Sequence, residues 1–237
     1  MTDPLGVETL RAVLERARTV LLDFDGPVCQ IFAGLTDQQA AQRLRPIIRQ
    51  AVGHVDDLSQ DLGPHELLEY AGRQSAELAH QVDAVLRAAE VEAAHSAVPT
   101  PGATDFLMAC HETGRPVAIV SNNAGEAVKK YLVQHNLSGL VTCVVGRDLD
   151  QPERMKPDPY IVQRALDALA AEPDSTVLVG DSVTDVIAGH AAGTLVIGYA
   201  NKPGKSSDLA AVRADAISQS MADLAQETAR KRQNVQD

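Results

Sequence analysis

The sequence predicts an α/β fold in which a parallel sheet carries helices on both faces, with a separate helical unit inserted after the first strand. Two observations favour this architecture. Short apolar runs bounded by Gly, Asp or Asn alternate along the chain with amphipathic helical patterns. The interval from about residue 30 to residue 98 interrupts this alternation, because it is rich in Ala, Leu, Gln and Glu and has no strand-like run.

Five apolar runs are short and continuous, which is typical of buried strands of a parallel sheet. They occupy residues 20–22, 117–120, 141–145, 177–179 and 195–197. Helical patterns lie between them at residues 126–135, 159–170 and from about 182 to 192, where Gly193 ends the pattern. Strand and helix in alternation predict parallel strands joined by helical crossovers.

The inserted unit contains periodic helical stretches such as residues 76–94. The Pro- and Gly-containing segment 99–102 breaks this pattern and returns the chain to the sheet. We therefore expect two domains: an α/β domain formed by residues 1–28 and 99–237, and a helical domain formed by residues 29–98.

Composition narrows the classes of partner. The formal net charge of −11 and the absence of Trp argue against a nucleic-acid partner. No apolar run approaches the roughly 20 residues that cross a bilayer, and residues 1–18 form an amphipathic pattern rather than a signal peptide. Three widely spaced cysteines suit a reducing compartment. We expect a cytoplasmic protein with a small-molecule partner; the oligomeric state is not predicted.

Short polar groups follow three of the predicted strands. The first strand leads to Asp23-Phe24-Asp25-Gly26, the second to Ser121 and Asn122, and the fourth to Asp181, with Asp185 four residues later. Ligands of parallel α/β sheets bind beyond the carboxyl ends of the strands. We therefore expect these groups at one edge of the sheet.

The carboxylates indicate a cation and a nucleophile. Asp23 and Asp25 alternate with Phe24, so on a strand both would point to one face. Together with Asp181 they would repel one another unless a cation is bound, and oxygen ligands without His or Cys suit Mg²⁺. A carboxylate can also attack a phosphoryl group, and a neighbouring acid with a raised pKa can transfer protons.

Each group also has a plain structural interpretation, and these alternatives stay open. The segment 23–26 resembles an ordinary turn with helix-capping carboxylates. Ser121 or Asn122 would cap a helix that begins near Ala124. Lys156, held in an extended conformation before Pro157, would be a surface lysine.

In their order along the chain, these residues resemble the haloacid-dehalogenase-like hydrolase superfamily, and within it the phosphoglycolate-phosphatase-like phosphatases. The four motifs are similar to residues 21–26, Val120-Ser121-Asn122, Lys156-Pro157 and residues 180–185. The resemblance extends from about residue 19 to residue 224. It implies a Rossmann-like parallel sheet core with an inserted, mobile helical cap domain.

The resemblance also implies a role for each matching residue. Asp23 would be the nucleophile and Asp25 the general acid and base. Ser121 and the Asn122 backbone would bind a phosphoryl oxygen, and Lys156 would orient Asp23. The metal ligands of a Mg²⁺ ion would be Asp23, the carbonyl oxygen of Asp25, Asp181, and Asp185 directly or through water.

Three points within the family remain open. Pro27 replaces the usual Thr or Val, which leaves a named subfamily unassigned. Asp25 favours phosphate esters over carbon–halogen bonds, and residues 29–32 lack the His expected of a phosphomutase; a phosphomutase or a catalytically silent protein is the alternative. The substrate is open between phosphoglycolate, a sugar phosphate and a nucleotide monophosphate, with Gln30, Phe32 and His54 as candidate contacts.

Overall fold

The structure is a computed structural model that describes residues 9–53 and 60–230 of the 237. The strands are β1 (Thr19–Leu22), β2 (Cys29–Gln30), β3 (Val98–Pro99), β4 (Val117–Val120), β5 (Cys143–Val145), β6 (Thr176–Gly180), β7 (Leu195–Tyr199) and β8 (Ala216–Ser218). The helices are α1 (Leu10–Arg16), α2 (Asp37–Val52), α3 (Pro64–Gln74), α4 (Ala76–Ala93), α5 (Ala103–Glu112), α6 (Gly125–Gln134), α7 (Tyr160–Leu169), α8 (Val183–Ala191), α9 (Lys205–Ala211) and α10 (Met221–Ala229). Short 3₁₀ segments cover Ile31–Ala33, Ser138–Leu140 and Pro173–Ser175.

Six strands form one sheet in the order β5-β4-β1-β6-β7-β8, and every neighbouring pair in it is parallel. The first strand is therefore near the centre, with Val20 paired to Val117 of β4 and to Val177 of β6. Since parallel strands end at the same edge, β4, β1 and β6 deliver the residues that follow them to adjacent positions.

Alternate residues of the central strands pack into two apolar clusters, one on each face of the sheet. Val20 and Leu22 belong to the first cluster, whereas Leu21 between them belongs to the second. Helices α1, α5, α6 and α10 contribute to the first cluster, and α7, α8 and α9 to the second. The predicted parallel α/β fold with helices on both faces is confirmed.

Helices α2, α3 and α4 form a helical unit with an apolar cluster of its own, which includes Leu44, Leu68 and Leu86. The chain enters and leaves this unit through β2 and β3, a two-stranded antiparallel pair. Met155, from the segment before α7, is buried in the same cluster. The division into domains at residues 28/29 and 98/99 stays a prediction.

The elements differ from the sequence-based expectation at a few places. Strand β5 begins at Cys143 rather than at residue 141, and β8 was not predicted, because a three-residue strand is too short to give an apolar run. Helix α1 lies within the predicted N-terminal amphipathic segment, whose first eight residues are outside the described part. Among the helices of residues 9–53 and 60–230, none has the length and apolar character to cross a membrane.

Candidate active site

The predicted site residues follow three adjacent strands. Asp23 comes directly after β1, Ser121 after β4 and Asp181 after β6. The sequence predicts Asp23 and Asp25 to be alternating residues of a strand. Strand β1 ends at Leu22, however, so both residues lie in the loop that follows it. The loop turns back at once, with the Gly26 N–H donating to the Cys29 carbonyl at 2.7 Å.

Three carboxylates meet at this edge. Asp23, Asp181 and Asp185 each place an oxygen within 4.8 Å of the others. Asp23 and Asp185 are buried, and Asp181 is partly exposed. Asp185 stands at the third position of α8, where Ser182 caps the helix and its N–H and O–H donate to Asp185 Oδ2 at 3.0 and 2.6 Å.

Lys156 reaches this cluster from the segment before α7. Its buried ammonium donates to Asp23 Oδ1 at 2.7 Å, to Asp185 Oδ1 at 2.5 Å and to the Val120 carbonyl at 3.1 Å. An ammonium has three protons, so these acceptors satisfy all of them. Burial lowers the pKa of Lys156, but the carboxylates of Asp185 and Asp23 outweigh burial and raise it. Lys156 is thus a buried cation and not a surface lysine.

Asn122 holds Lys156 in place. Its side-chain oxygen accepts from the Lys156 N–H at 2.8 Å, and its side-chain nitrogen donates to the Lys156 carbonyl at 3.2 Å. Ser121 is buried, and its hydroxyl donates to Asn123 Oδ1 at 3.0 Å and accepts from the Asn123 N–H at 3.1 Å. Neither caps α6, because the N-cap residue is Ala124.

Asp25 is not one of the three clustered carboxylates, but it lines a cavity together with Asp181. Its Oδ1 accepts from the Ile31 N–H at 3.0 Å. Burial raises the pKa of Asp25; the Ile31 hydrogen bond lowers it, and the negative charge of Asp181 raises it further. A carboxyl with a raised pKa keeps its proton to a higher pH and is therefore better suited to donate it.

The cavity beside Asp25 has a volume of about 520 Å³. Gln30 and Phe32, which were expected near the entrance, line it together with Asn201 and Lys202. His54, the other candidate contact, lies outside the described residues.

The loop after β7 and the first residue of α9 contribute two contacts that sequence reasoning missed. Asn201 Nδ2 and Lys205 Nζ both donate to Asp181 Oδ2, at 2.9 and 2.5 Å. The sequence did contain a signal for both residues, because they follow the apolar run 195–197, which was itself predicted to be a strand of this sheet. Ligands bind beyond the carboxyl ends of such strands, so the segment after β7 could have been included with those after β1, β4 and β6.

The three clustered carboxylates fit a Mg²⁺ ion. They present oxygen ligands only, which is the donor set that Mg²⁺ prefers. Gly26 has a φ of +104°, and a Cβ there would lie 2.5 Å from Asp181 Oδ2, so glycine permits this carboxylate to approach the first loop. Asp23 and Asp181 would hold the ion, with Asp185 beside them; the Asp25 carbonyl as a ligand stays a prediction.

The charge state of Asp23 depends on these neighbours. Burial raises the pKa of Asp23, the ammonium of Lys156 lowers it, and the carboxylates of Asp185 and Asp181 raise it. A divalent cation among the three carboxylates would favour their ionised forms.

Comparisons with known proteins agree with this geometry. Residues 17–193 match the model of the haloacid dehalogenase-like hydrolase family. Pyrophosphatase PpaX from Halalkalibacterium halodurans is 35% identical over 104 residues, which are 43% of this chain and 47% of that relative. The chain spans about half the length of this relative and of the Pyrophosphatase PpaX from Anoxybacillus flavithermus.

A longer match is the phosphoglycolate phosphatase of Rhodospirillum rubrum, which is 29% identical over 200 residues, covering 78% of this chain and 82% of the relative. Among solved structures, a predicted phosphatase from Clostridium acetobutylicum superposes with a TM-score of 0.69 at 19% identity, covering 89% of this chain and 97% of the other. That similarity shows a shared fold. The chain belongs to the haloacid dehalogenase-like hydrolase family.

Proposed function

We propose that this protein is a Mg²⁺-dependent phosphatase that hydrolyses a small phosphate monoester through a phospho-aspartate on Asp23. The observation that carries the proposal is the pairing of the buried Asp23 carboxylate with Lys156 at 2.7 Å, beside Asp181 and Asp185. A carboxylate that is shielded from water and aligned by a cation is suited to attack a phosphoryl group.

In the first half-reaction, an oxygen of Asp23 attacks phosphorus and the bond to the leaving oxygen breaks. The charge of Lys156 offsets the repulsion between Asp23 and the phosphoryl oxygens. Asp23 and Asp181, with Asp185 beside them, would hold a Mg²⁺ ion, whose charge would offset that of the phosphoryl oxygens and the clustered carboxylates. Ser121 and the Asn122 backbone, at the end of β4, bind a phosphoryl oxygen; for this the Ser121 hydroxyl proton turns away from Asn123 Oδ1 toward the phosphoryl oxygen.

Asp25 serves both half-reactions. Its raised pKa suits it to give a proton to the leaving oxygen when the ester bond breaks. The resulting carboxylate then takes a proton from the water that attacks the phospho-aspartate, which releases inorganic phosphate and restores Asp23.

The size and lining of the cavity support a small, polar substrate. A volume of about 520 Å³ accommodates a metabolite, and Gln30, Asn201 and Lys202 supply polar contacts. The printed names of two relatives, a pyrophosphatase and a phosphoglycolate phosphatase, point to phosphate-containing substrates. The helical unit is the cap in this proposal. A cytoplasmic location without nucleic-acid or membrane partners stays a prediction.

The experiment is a panel of phosphoglycolate, pyrophosphate, a sugar phosphate, a nucleotide monophosphate and an aryl phosphate, assayed for inorganic phosphate with Mg²⁺ and with a chelator. We expect phosphate release that requires Mg²⁺. Isomerisation of the sugar phosphate after priming with a bisphosphate would identify a phosphomutase instead. Inertness toward every ester would identify a catalytically silent protein.

Asp23→Asn tests the nucleophile. The variant is expected to lose turnover while remaining folded, because the amide retains the shape but cannot form the phospho-enzyme. Asp167→Asn, the same substitution at an exposed site on α7, is the control and is expected to behave as wild type. A wild-type rate in Asp23→Asn would assign the attack to another group.

A further inference from the structure

A buried carboxylate of the helical unit contacts the loop after β4. Glu90 of α4 is fully buried. It accepts from the Ala124 N–H at 2.8 Å and from Asn123 Nδ2 at 3.2 Å. It also accepts from both terminal nitrogens of Arg147, at 2.9 and 3.0 Å, and contacts His65 Nε2 at 3.2 Å.

Arg147 holds the same loop from the other side. It follows β5, and its side chain is fully buried. Its Nη1 donates to the Asn122 carbonyl at 2.6 Å, and its backbone N–H donates to the Asn123 carbonyl at 3.0 Å. Gly146 permits this approach, because a Cβ there would lie 2.8 Å from the Asn123 carbonyl oxygen.

A continuous hydrogen-bond chain links Glu90 to Ser121. Asn123 donates to Glu90 through Nδ2, which turns its Oδ1 toward the Ser121 hydroxyl at 3.0 Å. Ala124, the N-cap residue of α6, has no side-chain oxygen to cap the helix. Glu90 accepts from the N–H of this N-cap residue, so a carboxylate of a different helix fixes the loop at the residue where α6 begins.

We propose that Glu90, paired with Arg147, is a positioning residue that fixes the phosphoryl-binding loop of residues 121–124. This inference rests on the proposed function, in which that loop binds a phosphoryl oxygen. Glu90 has no contact with the carboxylates of Asp23, Asp181 and Asp185 among the hydrogen bonds of the described residues. Its effect is therefore on phosphate affinity and not on the metal.

The pair of Glu90 and Arg147 affects both stability and the position of the loop. Replacing both members of a buried ion pair with well-packed apolar side chains is often neutral for stability, whereas removing one member leaves a buried charge without its partner. Arg147 also donates through Nε to the buried Asp83, so both Arg147→Met and the double variant leave Asp83 with Arg87 alone. Melting temperature therefore reports on the whole cluster, and phosphate affinity is the measurement that distinguishes a positioning role from a structural one.

The test compares Glu90→Gln, Arg147→Met, the double variant and wild type. Inorganic phosphate is the probe, measured as a competitive inhibitor of aryl phosphate hydrolysis, with KM and kcat recorded separately. Calorimetric Mg²⁺ affinity and thermal melting are the readouts that do not depend on turnover. Glu92→Gln, on the same helix and in an exposed pair with Arg43, is the matched control.

We expect Glu90→Gln to weaken phosphate inhibition and raise KM by about tenfold, because the hydrogen bonds to the loop lose the negative charge of their acceptor. The affinity for Mg²⁺ is expected to stay unchanged. The double variant is expected to melt higher than Arg147→Met but not to regain phosphate affinity. Unchanged inhibition in Glu90→Gln, or its recovery together with stability in the double variant, would overturn the inference. Wild-type protein that neither hydrolyses esters nor binds phosphate would overturn the proposed function itself.

Discussion

Asp23 and Asp25 are two residues apart but lie in different surroundings. Asp23 is paired with a buried ammonium, whereas Asp25 lines the cavity and accepts from a backbone N–H. Burial raises the pKa of both carboxyls, and a cation bound among Asp23, Asp181 and Asp185 would offset this effect at Asp23. The two acids are thereby suited to different roles.

Asp25→Asn is expected to slow the hydrolysis of an ester whose leaving oxygen needs a proton more than that of an ester whose leaving oxygen departs without one. For an alkyl phosphate we expect a loss of roughly 10²- to 10⁴-fold, the usual contribution of a general acid. For an activated aryl phosphate, the first step should be nearly preserved and phospho-enzyme should accumulate. Rapid-quench measurement of both esters checks this. Equal losses for the two would argue against proton donation by Asp25.

Lys205 neutralises a residue that would bind the metal. Its ammonium and the Asn201 side chain both donate to Asp181 Oδ2. A positive charge at this distance opposes the arrival of a divalent cation at the same carboxylate. In the proposed function, the affinity of the site for Mg²⁺ would therefore depend partly on a residue outside the family motifs.

Lys205→Met is expected to tighten Mg²⁺ binding by about tenfold, since one opposing charge is removed while Asn201 still orients Asp181. Calorimetric titration with Mg²⁺ measures the change. Lys129→Met, which removes an exposed cation from α6, is the control and is expected to leave the affinity unchanged. Weaker binding in Lys205→Met would mean that the lysine chiefly orients the carboxylate.

At the scale of elements, α4 carries two ion pairs of different kinds. Glu92 pairs with Arg43 on the exposed side of the helix, where such pairs contribute little. Glu90 pairs with Arg147 in the interior. Burial raises the pKa of Glu90, but the charge of Arg147 and the hydrogen bonds from His65 and Arg147 lower it to about 2.

The lowered pKa of Glu90 predicts how stability depends on pH. Because the pKa is lower in the folded chain than the roughly 4.3 of an unfolded one, the contribution is present above about pH 4.3 and is lost as the pH falls toward 2. The shift of the pKa of Glu90 from about 4.3 to about 2 corresponds to about 3 kcal/mol of unfolding free energy. The difference in unfolding free energy between wild type and Glu90→Gln should therefore shrink from pH 5 to pH 2. Denaturant titrations across this range check it; a constant difference would contradict it.

At the scale of the whole molecule, one edge of the sheet gathers residues that are distant in sequence. Lys156 and Asp23 are separated by 133 positions, yet their charged groups are 2.7 Å apart. The carboxylate cluster exists only when the sheet is assembled, so a cation that binds it stabilises the folded state over the unfolded one.

Addition of Mg²⁺ is expected to stabilise the wild-type protein against unfolding by about 2.7 kcal/mol at a concentration 100-fold above its Kd. In Asp181→Asn, which loses a proposed ligand, the gain at the same concentration should be smaller. Thermal or denaturant melts with NaCl at matched ionic strength measure the effect. An equal gain in both proteins would place the ion elsewhere.

Much of this architecture could be predicted because it is encoded locally. Continuous apolar runs identify the central strands, and the polar residues that end them identify the loops after β1, β4 and β6. Three of the predicted carboxylates and Lys156 do come together in the structure.

Other features could not be predicted because their meaning depends on distant partners. Glu90 looks like an ordinary glutamate of an amphipathic helix, and its burial follows from a partner, Arg147, that is 57 positions away. Asn122 was expected to offer its backbone to a phosphoryl oxygen, but its side chain also binds the backbone of Lys156. Both contacts join segments that are distant in sequence and meet only in the folded chain.

The length of α4 places its two ends far apart. Glu90 is near the last turn of an 18-residue helix, and Ala76 begins the helix about 21 Å away. A tilt of the helix by about 10° about Glu90 would move Ala76 by about 4 Å, whereas residues next to Glu90 would hardly shift. The loop of residues 121–124 would therefore keep its position while the distant end of α4 is displaced.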